Sequence, residues 1–280
     1  MALQNTTRYG SPMTLRIGII SDLHFGPRIL FHGRLRKMSD MAPELTVAFV
    51  QRMNELKPDL VLTLGDIIED ESLETDANRY RHALRLLSEI NAPVRHVCGN
   101  HDTINQTDDM IREAWNHQGE LYYSFDCKGY HVSVLRTVER PHIDARLPSE
   151  QLEWLRKDLE QTTLPTVVAM HHGAADQNLR NNPWFENAPE VALIKERKAL
   201  RSVISSSPRV RLVLNGHLHW THVGIHDAIP YVTVQSLTEN LDPDAPGRVA
   251  AAWALVELSD HHVLVRTEGA APSVFESSLP

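Results

Sequence analysis

Cysteine is nearly absent from this 280-residue chain, which has two, Cys98 and Cys127. That number and spacing exclude a disulfide framework and a cysteine-built zinc knuckle, and they point to a reducing compartment, the cytoplasm. Long apolar runs are missing as well. The longest, 249–256, falls far short of the ~18 residues a membrane helix needs, and the opening MALQNTTRYGSPMT has no apolar core of a secretory signal. No membrane association is expected. Positive charge is in deficit, with Lys+Arg 28 against Asp+Glu 36 and a formal net charge of −8. That balance argues against nucleic acid or an anionic bilayer as the main partner. There is no internal repeat, low-complexity tract or Gly/Ser linker. The expectation is one domain over 1–280, with 1–13 a flexible N-terminus. Apolar residues at 42% and charged residues at 23% suit a folded globular chain.

Histidine, by contrast, is abundant: there are 16, more than the 13 glycines. Their placement follows the secondary-structure pattern. Apolar runs at 15–20, 60–64 and 93–98 read as buried strands, separated by helical stripes at 45–56 and 76–90. This β-α-β-α-β order implies parallel strands. A hairpin around Lys128-Gly129 follows, then a helix at 149–159 with Ser149 as its N-cap. Strands are expected at 166–170 and 210–214, with a helix at 190–202 between them, and the last strands at 231–235, 249–257 and 262–267. Two packed sheets with helices outside accommodate this order. The 173–189 stretch, carrying Trp184 and Phe185, is long enough to be an active-site loop.

Five apolar strands each end in a burst of polar residues: Asp22-Leu23-His24, Gly65-Asp66, Gly99-Asn100-His101-Asp102, His171-His172 and Gly216-His217-Leu218-His219. In parallel α/β sheets ligands bind at the carboxyl ends of strands, so the five bursts should converge. Asp, His and Asn without Cys suit Mn, Fe, Zn or Co. On an extended chain, residues two apart share a side, so Asp22/His24 and His217/His219 would each grip one region. Seven candidate ligands exceed what one ion with an open position can use. They suit two ions sharing a carboxylate, as in enzymes that displace at phosphorus. Each piece alone is common; the ordered set is specific.

This set resembles the calcineurin-like metallophosphoesterase superfamily, and within it the bacterial cyclic-nucleotide (class III) phosphodiesterase and glycerophosphodiesterase branch. The resemblance implies an α/β fold, a four-layer α/β/β/α sandwich of two mixed sheets flanked by helices. It implies a dinuclear metal-dependent phosphodiesterase that hydrolyses small phosphodiesters, cyclic nucleotides favoured, by attack of metal-bound hydroxide. Asp22, His24 and His219 would hold one metal, Asn100, His171 and His217 the other, and Asp66 would bridge. Mn and Fe are the favoured pair. His101 would be catalytic, facing the phosphate or protonating the leaving alkoxide.

The chain departs from the family pattern in two places. Where members carry Asp three residues after the bridging Asp, this chain has Glu69, which is expected to orient His101. The His-His pair is followed by Gly173 in place of Pro. His172 is expected to bond substrate or a neighbouring group, and Arg28, Arg34, Arg36 and Lys37 are read as a solvated basic face. The alternatives are a phosphomonoesterase or nucleotide pyrophosphatase of the same fold, a nuclease, and a non-catalytic scaffold. The last is disfavoured because no ligand is missing. The expected partner is a small-molecule phosphoester, and a homodimer is left open.

Overall fold

The computed structural model describes residues 14–242 and 247–279; the flexible terminus expected over 1–13 lies outside them. In chain order the elements begin with β1 (Leu15–Ile20), the small hairpin β2 (Ile29–Phe31) and β3 (Arg34–Lys37), and α1 (Ala42–Leu56). β4 (Leu60–Thr63), α2 (Leu73–Leu87), β5 (Val94–His96) and α3 (Asp108–Trp115) come next. The middle holds β6 (Tyr123–Cys127), β7 (Tyr130–Val134), a second hairpin of β8 (Val138–Arg140) and β9 (Asp144–Arg146), α4 (Ser149–Gln161) and β10 (Thr166–Ala169). The chain continues through α5 (Pro189–Ala192), α6 (Arg197–Ser206), β11 (Val210–Asn215), β12 (His222–His226) and β13 (Ile229–Thr233). It ends in β14 (Trp253–Ser259), β15 (His262–Glu268) and β16 (Ser273–Ser278).

Two six-stranded sheets result, ordered β16-β15-β14-β1-β4-β5 and β12-β13-β11-β10-β7-β6. β1, β4 and β5 run parallel, as do β7, β10, β11 and β13, with antiparallel strands outside them. Because both faces of the central parallel strands β1, β4, β10 and β11 are covered, they are apolar at most positions. Ile17, Ile19, Leu60 and Leu62 point between the sheets, onto Val132, Val167, Leu212 and Val232. The alternate residues Ile20 and Val61 meet Phe49 and Met53 of α1 and Tyr80 and Ala83 of α2. On the far side Val168 and Val213 meet Leu155 of α4 and Leu200 and Ile204 of α6. The layers are therefore α/β/β/α, as expected. Each such side chain contributes about 1.5–3 kcal/mol by leaving water. No helix among the described residues is long and apolar enough to cross a membrane.

Local departures have tertiary causes. The helix expected over 190–202 is two helices, because Leu193 and Ile194 are drawn out to bridge Gly173 and Ala145. Ser149 lies inside α4, whose cap position is Pro148 without a side-chain hydrogen bond. α2 begins earlier than its apolar stripe because the Ser72 side chain accepts from the Thr75 N–H. The basic stretch after the first polar burst folds back as the β2–β3 hairpin.

Candidate metal centre

β1, β4 and β5 of one sheet and β10 and β11 of the other deliver the five bursts to one edge. The backbone then turns sharply. Asp22, His24, Asp66, His217 and His219 all have positive φ, between 48° and 67°, a left-handed conformation that Asp and His tolerate but rarely adopt. The D-x-H and H-x-H pairs are thus left-handed turns and not the extended segments expected from their spacing. Their side chains converge because each is aimed from a left-handed position. Strain of about 1–3 kcal/mol per residue is typical of such positions and gathers at functional sites.

Two glycines make room. Gly65 has φ +97°, and a Cβ there would lie 2.6 Å from His171 Nδ1. A Cβ on Gly99 would lie 2.1 Å from Asp66 Oδ1. Asp102, fully buried, clamps the same turn by accepting from the N–H groups of Asp66 (3.1 Å), Ile67 (2.8 Å) and Gly99 (2.8 Å). Burial and the nearby Asp66 push its carboxyl up to about 7.

All seven expected ligands and His101 meet here. Asp22, His24 and His219 offer ligand atoms within 4.8 Å of one another, as do Asp22, Asp66 and His171. His24 Nε2 lies 3.1 Å from His219 Nε2, and His219 Nε2 3.5 Å from Asp22 Oδ1. In the other half His171 Nε2 lies 3.0 Å from Asn100 Oδ1 and 3.2 Å from His217 Nδ1. Asp66 Oδ2 faces both halves, 3.2 Å from His171 Nε2 and 3.8 Å from His24 Nε2, while its Oδ1 accepts from the His101 N–H at 2.9 Å.

The donor chemistry fits cations. His24 Nδ1 points at the Glu69 carboxylate (2.9 Å) and His219 Nδ1 at that of Glu239 (2.7 Å). With each Nδ1 donating, a neutral imidazole presents a lone pair at Nε2. Two such lone pairs 3.1 Å apart repel unless positive charge, a cation or a proton, lies between them. Burial and the Lys37 ammonium lower His24 to about 4, whereas the buried carboxylates draw protons onto two other imidazoles. Burial would depress His171, yet the charge and hydrogen bond of Asp66 raise it to about 10. Burial likewise opposes His219, yet Asp22 and Glu239 raise it to about 9.

The surrounding partners correct two expectations. His101 Nδ1 hydrogen-bonds Asp70, not Glu69. The turn after Asp66 sends Glu69 to His24, where it also pairs with Lys37. Lys37 is 3% exposed, its ammonium 3.4 Å from His24 Nδ1, so it is not part of a solvated basic face. Arg28 is, pairing with Asp40 at the surface. His172 is buried, its Nδ1 2.8 Å from Thr137 Oγ1 and its ring 4.0 Å from that of His217, which it braces. Burial pushes His101 down, but Asp66 and Asp70 hold it above its ordinary value. Sequence reasoning missed Asp70, Asp102, Lys37 and Glu239. The acidic run 69–71 and the last letter of G-N-H-D carried a signal for the first two; Lys37 was visible only as one of four basic residues, and nothing in the sequence marks Glu239.

A profile of the calcineurin-like phosphoesterase family matches residues 15–221. The chain belongs to that family. It is therefore a metal-dependent phosphoester hydrolase. Among relatives of this calcineurin-like phosphoesterase, a probable cyclic nucleotide phosphodiesterase of a Synechococcus species is 27% identical over 254 residues, covering 89% of each chain. A 3′,5′-cyclic-nucleotide phosphodiesterase of a Nostoc species is 25% identical, covering 74% of this chain and 72% of its own. In fold, a dimetal phosphatase from Danio rerio superposes with a TM-score of 0.76 at 15% identity, over 96% of this chain and all of that one.

Proposed function

We propose that this phosphoesterase is a dinuclear phosphodiesterase acting on small diesters, cyclic nucleotides first. Asp22, His24 and His219 hold one ion, Asn100, His171 and His217 the other, and Asp66 serves both. The observation that carries the reading is the single Asp66 oxygen set between the two halves. Nitrogen and oxygen donors without sulfur suit Mn, Fe, Zn or Co, and Mn and Fe are the pair we favour. When bound, two such ions stabilise charge on the phosphoryl oxygens and bring the pKa of water toward neutrality. The remaining work falls to side chains. Asp70 fixes the His101 ring through Nδ1, so Nε2 is the atom that delivers a proton to the leaving alkoxide. Glu69 and Glu239 hold His24 and His219 in orientation. The two free cysteines accord with a cytoplasmic location. The named activity of the Synechococcus and Nostoc relatives supports the choice of diester.

The test is a panel at fixed Mn²⁺: 3′,5′- and 2′,3′-cyclic nucleotides, a bis-aryl phosphate, a mono-aryl phosphate and a nucleoside diphosphate compound. The highest kcat/KM is expected on a diester. A lead for the monoester or the diphosphate refutes the diesterase reading.

A further inference from the structure

The loop over 173–189 is fastened to the metal centre. Asn182, fully buried, donates from Nδ2 to the carbonyl of Leu218 (3.0 Å), between His217 and His219. Its Oδ1 accepts from the N–H groups of Trp184 (3.0 Å) and Phe185 (3.1 Å). The Trp184 indole N–H donates to the Glu239 carboxylate (3.1 Å) that also holds His219. The Phe185 ring lies 4.7 Å from His217 and the Trp184 ring 5.5 Å from His219. So the loop is a fixed wall at the edge of the histidine cluster.

From that wall an aromatic surface runs outward. Phe31, on β2, lies 4.8 Å from Trp184 with the rings tilted by 34°. Both rings are half-buried, and neither belongs to the apolar clusters that hold the layers together. The Lys37 ammonium lies over the Trp184 ring, 5.1 Å from its centroid, and Phe31 stacks on that ring. The face this surface offers is therefore that of Phe31, with the His32 ring against it at 4.2 Å and 63°. A partly exposed ring so close to the metal centre needs a role other than core packing. We propose that Phe31, backed by Trp184, forms a stacking platform for a planar aromatic substituent of the diester, a nucleobase. The proposal rests on the phosphodiester reading above. A phosphate at the histidines leaves a nucleoside's base pointing away from them, and every base offers a π-face to an aromatic side chain.

Trp184 also touches the metal centre through Glu239, so the test is placed on Phe31. Metal-loaded protein is titrated with adenosine 5′-monophosphate and with ribose 5-phosphate, which differ by the base. The wild type is expected to prefer the nucleotide by about tenfold or more, Phe31→Tyr to keep that preference, and Phe31→Leu to reduce it to about twofold. Leucine retains apolar volume without a π-face, and unfolding temperatures of both variants check the fold. Equal wild-type affinities, or a full preference in Phe31→Leu, overturn the platform. Turnover of 3′,5′-cyclic AMP is followed in parallel. Its absence, with the base preference intact, rejects the cyclic-diester reading and supports the platform.

Discussion

Glu69 and Asp70 are adjacent carboxylates with different tasks, and removing the charge of each separates them. Glu69 pairs with Lys37 in a setting where the side chains are 11% and 3% exposed. Glu69→Gln keeps an oxygen for His24 Nδ1 but leaves the Lys37 ammonium without its counter-charge. Breaking a buried pair from one side costs about 3–5 kcal/mol. At about 2–4 °C per kcal/mol for a chain of this size, Tm should fall by roughly 10 °C. Lys37→Met in the same protein should recover a large part of that loss, since the unpaired charge goes with it. Asp70 and His101 are 26% and 25% exposed, so Asp70→Asn should barely move Tm. It keeps an oxygen for His101 Nδ1 but removes the charge that favours the protonated ring, and turnover should fall about 10–100-fold with metal content unchanged. Thermal unfolding, metal analysis and steady-state kinetics on a p-nitrophenyl diester read the three quantities. If Glu69→Gln lowers turnover as Asp70→Asn does while Tm stays put, the division of labour is wrong.

Three further outcomes are expected. The wild type should carry about two ions per chain and Asn100→Ala about one, by metal analysis after desalting; an unchanged count removes Asn100 from the ligand set. Gly99→Ala would set a Cβ 2.1 Å from Asp66 Oδ1 and 2.2 Å from its backbone nitrogen. The turn must shift, at a cost of about 1–3 kcal/mol or more, and metal binding should weaken; a fully loaded, equally stable variant refutes the packing argument. Far from the site, burial lowers the His131 pKa, but hydrogen bonds to Asp158 and Asp126 raise it above its ordinary value. A histidine with a raised folded pKa contributes stability that is complete below its ordinary pKa and lost as pH climbs through the folded one. The Tm gap between wild type and His131→Gln should therefore be widest below the ordinary histidine pKa and shrink as pH rises above it.

Much of this was legible because it is local. Apolar runs bounded by polar bursts placed β1, β4, β10 and β11, since a strand covered on both faces is apolar at most positions. The ligands followed from the residues at those strand ends. Glycines in G-D and G-N-H-D were visible as letters, while the reason for them, a backbone approach too close for a Cβ, was not. The helix break at Leu193 and Ile194 was hidden because it answers to Gly173 and Ala145.

The sequence by itself therefore determined the fold class and marked the eight residues of the candidate site that the structure brings together, because each depends on residue type and on order along the chain. Only the tertiary structure decided how the Asp22/His24 and His217/His219 pairs converge, through left-handed backbone where an extended strand was expected. It also decided which neighbour serves which ligand. Lys37 reaches Glu69 across 32 positions, and Glu239 reaches His219 across 20. Asp70 takes the role expected of Glu69 because one residue of turn reverses the side chain's direction. Pairings of this kind are set by the packing of separate segments, and a single sequence carries no local mark of them.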